Sequence, residues 1–350
     1  MKAKGSLWFI RACMGAVTRR KAEGKSVLAG YFRLSTSAFL LWAIAVSVAM
    51  AQPYPAKPVR LIVGPGPGSG TDVVARAIAL RLTERVGQSV LVDNRVGAGG
   101  TIAVATVAKS PPDGYTLLFV SGSLVIHPAI YRKLPYDVER DLAPIALVGV
   151  VPQVLVVHPS LPAKNMREFI ALAKKRPGQI NYGSGGVGST GHLAGELLQS
   201  SAGIQLIHVP YKGAGPAAVD VSAGQIQGLF TSAVNALQHA RTGRVRMVGV
   251  TTAKRAAAIP DVPTFAESGV PGYELMTWYG VLAPTGTPRA VVDRVNQEVA
   301  AVIKLPDVQS RLVADGVEPS GSSPEEFAAM IKRELARITK IIKSAGIQVE

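Results

Sequence analysis

Hydrophobic positions along the chain follow two spacings. Short, largely apolar runs recur at Val59–Val63, Tyr115–Val120, Val154–Val157, Leu206–Val209, Ile226–Phe230 and Val245–Val250, the mark of buried strands. Longer stretches between them carry apolar residues every three or four positions. In Thr71–Val86, for example, Val74, Ile78 and Leu82 form one stripe of a helix. Turn residues punctuate the two patterns. Pro111-Pro112 stops a helix over Thr101–Lys109, Asp113-Gly114 precedes a strand, and Pro177-Gly178 closes a helix that starts at Asn165. Further strands are predicted at Ser89–Val92, Ile145–Val148, Ile180–Tyr182 and Met276–Ala283. Further helices are predicted at Thr190–Ser200, Arg289–Ile303, Val308–Ala314 and Pro324–Ser344. This alternation predicts an α/β protein with mainly parallel sheets. One unit occurs twice, around residues 59–86 and again around 180–200: strand, glycine-rich loop, helix.

The N-terminal stretch follows a different logic. Ser37–Ala51 is an apolar run of signal-peptide length, short of the ~20 residues that span a bilayer. It ends in Ala49-Met50-Ala51, an A-x-A cleavage pattern. Residues 1–51 therefore read as a long export leader, with an N-terminal membrane anchor as the alternative and a periplasmic product as the expectation. Arg19-Arg20 stands too far from the apolar run to make a good twin-arginine signal.

Removing the leader changes the charge. The full chain has 350 residues and a formal net charge of +15. Eight basic side chains and one acidic one lie in residues 1–51, which leaves +8 on the remainder. That surplus is spread out, with no run of Lys and Arg, so it suits small acidic molecules better than nucleic acid. The single cysteine, Cys13, lies in the leader, which excludes disulfides, thiolate metal ligands and a catalytic Cys from the exported chain. With 48% hydrophobic and 17% charged residues, the composition excludes disorder.

Two glycine-rich loops carry the candidate chemistry. The first is Gly64-Pro-Gly-Pro-Gly-Ser-Gly-Thr71-Asp72, running from a strand into a helix. Such a junction offers free backbone N–H groups and the positive end of the helix dipole to an anion. Ser69 and Asp72 also match a capping box, with Ser as N-cap and Asp at N3. The second loop, Tyr182-Gly-Ser-Gly-Gly-Val-Gly-Ser189-Thr190-Gly-His192, repeats the arrangement and adds the hydroxyls of Ser184, Ser189 and Thr190. His192 falls in the first turn of the helix that follows, where a backbone-bonded histidine is the plain alternative to a ligand contact. Lys212 could steer an acidic ligand or be simply solvated.

Other chemistries lack their motifs. Neither loop fits the P-loop pattern, and the first fails G-x-G-x-x-G. Gly183-x-Gly185-x-x-Gly188 fits it, but no acidic residue follows at the ribose-binding distance, so a nucleotide-dependent oxidoreductase is disfavoured. The five histidines show no metal spacing, and no G-x-S-x-G elbow is present. Binding without turnover, with no metal and no cofactor, is the expectation.

Several motifs, in order, resemble one family. They are Pro67-Gly-Ser-Gly-Thr71-Asp72, Val92-Asp-Asn-Arg-Val-Gly-Ala-Gly-Gly100, Pro112-Asp-Gly-Tyr-Thr-Leu117, Tyr182–Ser189, His192-Leu-Ala-Gly-Glu196, His208-Val-Pro-Tyr-Lys-Gly213, Val262–Gly269 and Trp278–Pro284. Together they resemble the Bug family, the extracytoplasmic solute receptors of tripartite tricarboxylate transporters, from about Tyr54 to Lys343. The resemblance implies a periplasmic-binding-protein fold, type II-like, of two α/β domains with a ligand cleft between them. One domain would comprise residues 52–152 plus 277–350, the other residues 153–276. It implies a small carboxylate ligand held by backbone amides and ordered water. The partner would be a membrane permease or, alternatively, a sensor kinase, and the receptor a monomer. The implied binding residues are Pro67, Gly68, Ser69, Thr71, Asp72, Ser121, Ser184, Gly186, Gly188, Ser189, His192, Tyr211, Lys212 and Thr231. Ser69 stands where the family usually has Gly. Thr231 stands where many members have an Asp able to meet a ligand amine, which disfavours an amino-acid ligand.

Overall fold

The computed structural model describes residues 54–347, so the leader expectation lies outside the described residues. The first half of the fold runs β1 (Val59–Val63), α1 (Gly70–Val86), β2 (Val90–Asn94), α2 (Thr101–Ala108), β3 (Thr116–Ser121) and the short α3 (His127–Ile130). The long strand β4 (Leu142–Val157) leads into α4 (Met166–Lys175), β5 (Asn181–Ser184), α5 (Thr190–Ala202), β6 (Ile207–Pro210), α6 (Ala214–Ser222), β7 (Gly228–Ser232), α7 (Ala233–Ala240) and β8 (Arg246–Val250). The chain returns through β9 (Met276–Pro284) and closes with α8 (Arg289–Ile303), α9 (Pro306–Ala314), β10 (Glu318–Pro319) and α10 (Pro324–Ser344).

Ten strands make one continuous sheet with a main order β2-β1-β3-β9-β4-β7-β5-β6, while β8 and β10 also pair with β4. The sheet is mixed, which corrects the mainly parallel expectation. β1 pairs in parallel with β2 and β3, and β5 with β6 and β7. The crossing strands β4 and β9 carry the chain between the two halves in opposite directions, so their ladders are antiparallel. Two apolar runs read as separate strands, Ile145–Val148 and Val154–Val157, are one strand. Pro152 lies between them and lacks an N–H, but it stands where β4 changes neighbours. The β9 ladder ends at the Pro152–Met276 pair, and the β7 ladder begins at the Gln153–Ser232 pair.

Apolar faces of helices cover both halves. In α10, Phe327, Ile331, Ile338 and Ile342 are buried, and the Phe327 ring meets Trp278 of β9 edge to face. In the second half, Tyr182, Phe230, Phe265 and Tyr273 form a chain of ring contacts. Each such buried side chain contributes roughly 1.5–3 kcal/mol.

Candidate functional site

A cavity of about 400 Å³ lies where the two halves of the sheet meet. Its lining draws on both glycine loops, on Ser121 at the end of β3 and Ser123 just beyond it, on Gln153 of β4, on Thr231 and Ser232 of β7, and on Thr277 and Tyr279 of β9. Its volume falls in the range of small-molecule sites.

Five helices begin at this cavity. Ser69 to Thr71 belong to the start of α1, Gly100 to α2, Ser189 to Gly191 to α5, Gly213 and Ala214 to α6, and Ser232 to α7. Two of them carry their own caps: Ser69 accepts from the Asp72 N–H at 3.3 Å, and Ser189 from the His192 N–H at 3.2 Å. The starts of α2, α6 and α7 have no side-chain cap. A helix start of this kind leaves first-turn N–H groups as donors with the positive end of a helix dipole behind them, although at α2 the Thr101 N–H is taken by the Ala98 carbonyl. The two loops read from the sequence are the capped ones, and the three uncapped starts were missed. A glycine at the N-cap of α2 and of α6 was the available signal.

The predicted site residues divide into two groups. Ser69, Thr71, Ser121, Gly186, Ser189, Tyr211, Lys212 and Thr231 line the cavity. Pro67, Gly68, Asp72, Ser184, Gly188 and His192 are not in the lining, and most of them hold the loops in shape. The Asp72 carboxylate, 2% exposed, accepts from the Gly68 N–H, the Arg76 guanidinium and the Asn94 amide. It caps the turn before Ser69, so the reciprocal bond of the expected capping box goes to Gly68 instead. Ser184 Oγ accepts from the Gly186 N–H and bonds His208 Nε2 at 2.6 Å. The Gly188 N–H donates to His192 Nδ1 at 3.3 Å, and the His192 and His208 rings stack with centroids 4.3 Å apart. Burial pushes His208 down to about 3, helped by the neighbouring His192.

A third loop, Gly97-Ala-Gly-Gly100, faces the cavity as well. All four of its residues have positive φ, Ala98 included. His127 anchors it from behind. The fully buried imidazole bonds the Gly99 carbonyl through Nε2 at 3.1 Å and the Tyr136 hydroxyl through Nδ1 at 2.6 Å. Burial lowers its pKa to about 4, so at neutral pH the ring is uncharged; Nε2 carries the proton to the carbonyl and Nδ1 accepts from Tyr136.

The loops of the two halves touch across the cleft. The Tyr131 hydroxyl donates to the Val187 carbonyl at 2.9 Å, and the Asn235 amide donates to the Gly68 carbonyl at 3.1 Å. Asn235 Oδ1 in turn accepts from Thr231 Oγ1 at 3.3 Å. A Cβ on Gly99 would lie 2.0 Å from the Val187 carbonyl oxygen, and one on Gly66 2.9 Å from that of Lys212. The loops of the two halves are thus in direct contact, with backbone packed on backbone at Gly99 and Gly66.

Among the described residues, the lining has no carboxylate, and Lys212 is its one cationic side chain. Hydroxyls, amides and helix starts facing inward make an environment for an anion that binds through several oxygens. Among the described residues, no group of three or more His, Cys, Asp or Glu is placed to hold a metal ion, and no helix is long and apolar enough to cross a membrane.

Comparison with known proteins gives consistent results. The model of the tripartite tricarboxylate transporter family receptor matches residues 74–347. A protein encoded between tcbD and tcbE in Pseudomonas sp. is 40% identical over 290 residues, covering 83% of this chain and 86% of its own. Protein BugT of Bordetella pertussis is 36% identical over 302 residues, covering 86% and 93%. Among solved structures, R. palustris Rpa4515 with adipate superposes with a TM-score of 0.83 at 38% identity, covering 85% of this chain and all of that one. MatC from Rhodopseudomonas palustris with bound malate gives 0.80 at 30% identity, covering 83% and all of that chain.

Proposed function

The chain belongs to the tripartite tricarboxylate transporter family of receptors, and on that premise we propose that it captures a small carboxylate in the interdomain cleft and presents it to a membrane permease. The observation that carries this reading is the convergence of five helix starts, three without side-chain caps, on one cavity whose lining holds no carboxylate. An anion gains roughly 0.3–1 kcal/mol from each dipole, up to ~2 where partly buried. The relatives whose structures hold adipate and malate support the ligand class. Thr231, in the lining, offers a hydroxyl and no charge, so a ligand ammonium would find no counter-ion there. The reading further takes residues 52–152 with 277–350 as one domain and 153–276 as the other. It makes the protein a periplasmic binder that releases its ligand chemically unchanged. Delivery to a sensor kinase instead of a permease would use the same cleft.

Introducing a carboxylate at Ser189 tests the reading. Ser189→Asp keeps an N-cap for α5, but sets a negative charge in the lining. Calorimetry with adipate and malate should show at least one of them bound by the wild type and at least ten-fold weaker in the variant. Undiminished affinity would remove this loop from the site, and binding only of amino acids or cations would overturn the ligand class.

A further inference from the structure

Gln153 differs from the other uncharged polar side chains facing the cavity. It is 3% exposed and lines the cavity at the point where β4 passes from one half of the sheet to the other. Its backbone is pinned: the N–H donates to Thr251 Oγ1 at 3.1 Å, and the carbonyl accepts from the Thr251 N–H at 3.0 Å and from its hydroxyl at 3.1 Å. Its side-chain amide makes no hydrogen bond to protein among the described residues. Its neighbours in the lining have theirs: Thr231 bonds Asn235, Tyr131 bonds Val187, Tyr211 bonds Asp220, and Ser121 bonds Ser123.

A primary amide carries two N–H donors and an acceptor oxygen. Open to the cavity, the amide is left unmatched only when a ligand covers it without offering a partner. It is therefore poorly suited to an alkyl or aryl surface and well suited to an oxygen of a ligand. The fixed backbone and the burial of the residue keep the amide within reach of the cavity.

We propose that Gln153 is a specificity-determining residue that hydrogen-bonds a second oxygen group of the bound acid. The preferred ligand is then a dicarboxylate or a hydroxy acid, not a plain alkyl monoacid. This rests on the carboxylate reading of the cleft and adds the chemistry of the ligand's other end. A carboxylate would use the amide donors alone, whereas a hydroxyl would use donor and acceptor together. Sites built to hydrogen-bond a substrate group discriminate strongly against analogues lacking it, because the site's own polar group is then left unmatched.

Calorimetry with six acids tests the inference: butanoate, 4-hydroxybutanoate and succinate at four carbons, and hexanoate, 6-hydroxyhexanoate and adipate at six. At one length at least, the wild type should bind an oxygenated acid ten-fold or more tighter than the plain one. Gln153→Leu should bring that ratio to within about two-fold, and the arm that loses most identifies the oxygen group. Gln153→Asn keeps the amide on a shorter stem, and its ratio should fall between the two. An equal ratio in the wild type and Gln153→Leu overturns the role of Gln153 while leaving the carboxylate cleft in place. If Gln153→Leu does not fold, a ratio in Gln153→Asn equal to that of the wild type has the same force. Binding of none of the six acids by the wild type removes the carboxylate premise and this inference with it.

Discussion

At the scale of single residues, His127 joins stability to the shape of the cleft. Its pKa is held near 4 by burial, against 6.5 for a solvated histidine, so the unfolded chain takes up a proton at a higher pH than the folded one does. The stability contributed by the neutral ring is complete above about pH 6.5. It is lost as the pH falls through 4, and amounts to about 3 kcal/mol. His127→Gln keeps an N–H for the Gly99 carbonyl but does not titrate. Chemical denaturation at pH 7, 5.5 and 4.5 should show the pH slope of the wild type reduced in the variant by most of that amount. Equal slopes would show that His127 does not carry the acid sensitivity. None of this was legible in the sequence, because His127 stands in no motif and its partners, Gly99 and Tyr136, are defined only by the fold. Thr71 and Ser189 were legible as lining residues because each lies at a strand-to-helix junction, and Thr231, within β7, through the family resemblance. Asp72 was misplaced for a related reason. A carboxylate in the first turn of a helix looks the same in sequence whether it faces a ligand or, as here, the turn before it.

At the scale of elements, the third glycine loop sets how closely the two halves approach. Gly99 has φ +61°, and an added Cβ would lie 2.0 Å from the Val187 carbonyl oxygen. Ala can occupy the left-handed region at a cost of roughly 1–2 kcal/mol, but it cannot share space with that oxygen. Gly99→Ala should leave an open form accessible and block the closed one. Small-angle scattering on addition of adipate or malate should show compaction in the wild type and none in the variant, with affinity at least ten-fold lower. Full compaction of the variant would mean that the 99–187 contact does not limit closure. The elements themselves were largely readable. The boundaries of α8 and α10 match the predicted Arg289–Ile303 and Pro324–Ser344, and α10 opens with a Ser323–Glu326 capping box. The helices α6 and α7 were not read. Gly215 and Pro216 stand in the first turn of α6 and resemble a loop, although both are tolerated there, and α7 follows β7 with no intervening turn residue.

At the scale of the whole molecule, the chain carries information outside the described residues. The A-x-A pattern after Ser37–Val48 predicts that periplasmic protein begins at Gln52 or within a few residues of it, as N-terminal sequencing will show; recovery of the intact leader in the membrane fraction would contradict export as a free receptor. The two-part architecture could be inferred only through the family resemblance, since spacing alone predicts alternating strands and helices without saying which ones share a sheet. The order of the sheet also governs when each part can assemble. β9 lies between β3 and β4, although some 120 residues separate it from the end of β4 along the chain. The strands from β5 to β8 are contiguous in sequence and can pair with the end of β4 as soon as they are made. The first half cannot: until residues 276–284 arrive, β3 has no neighbour on that side and the ladder from β1 to β4 has a gap. The N-terminal half of this protein is thus synthesised first and completed last, and in the interval its open β3 edge is exposed to whatever else in the compartment can pair with a strand.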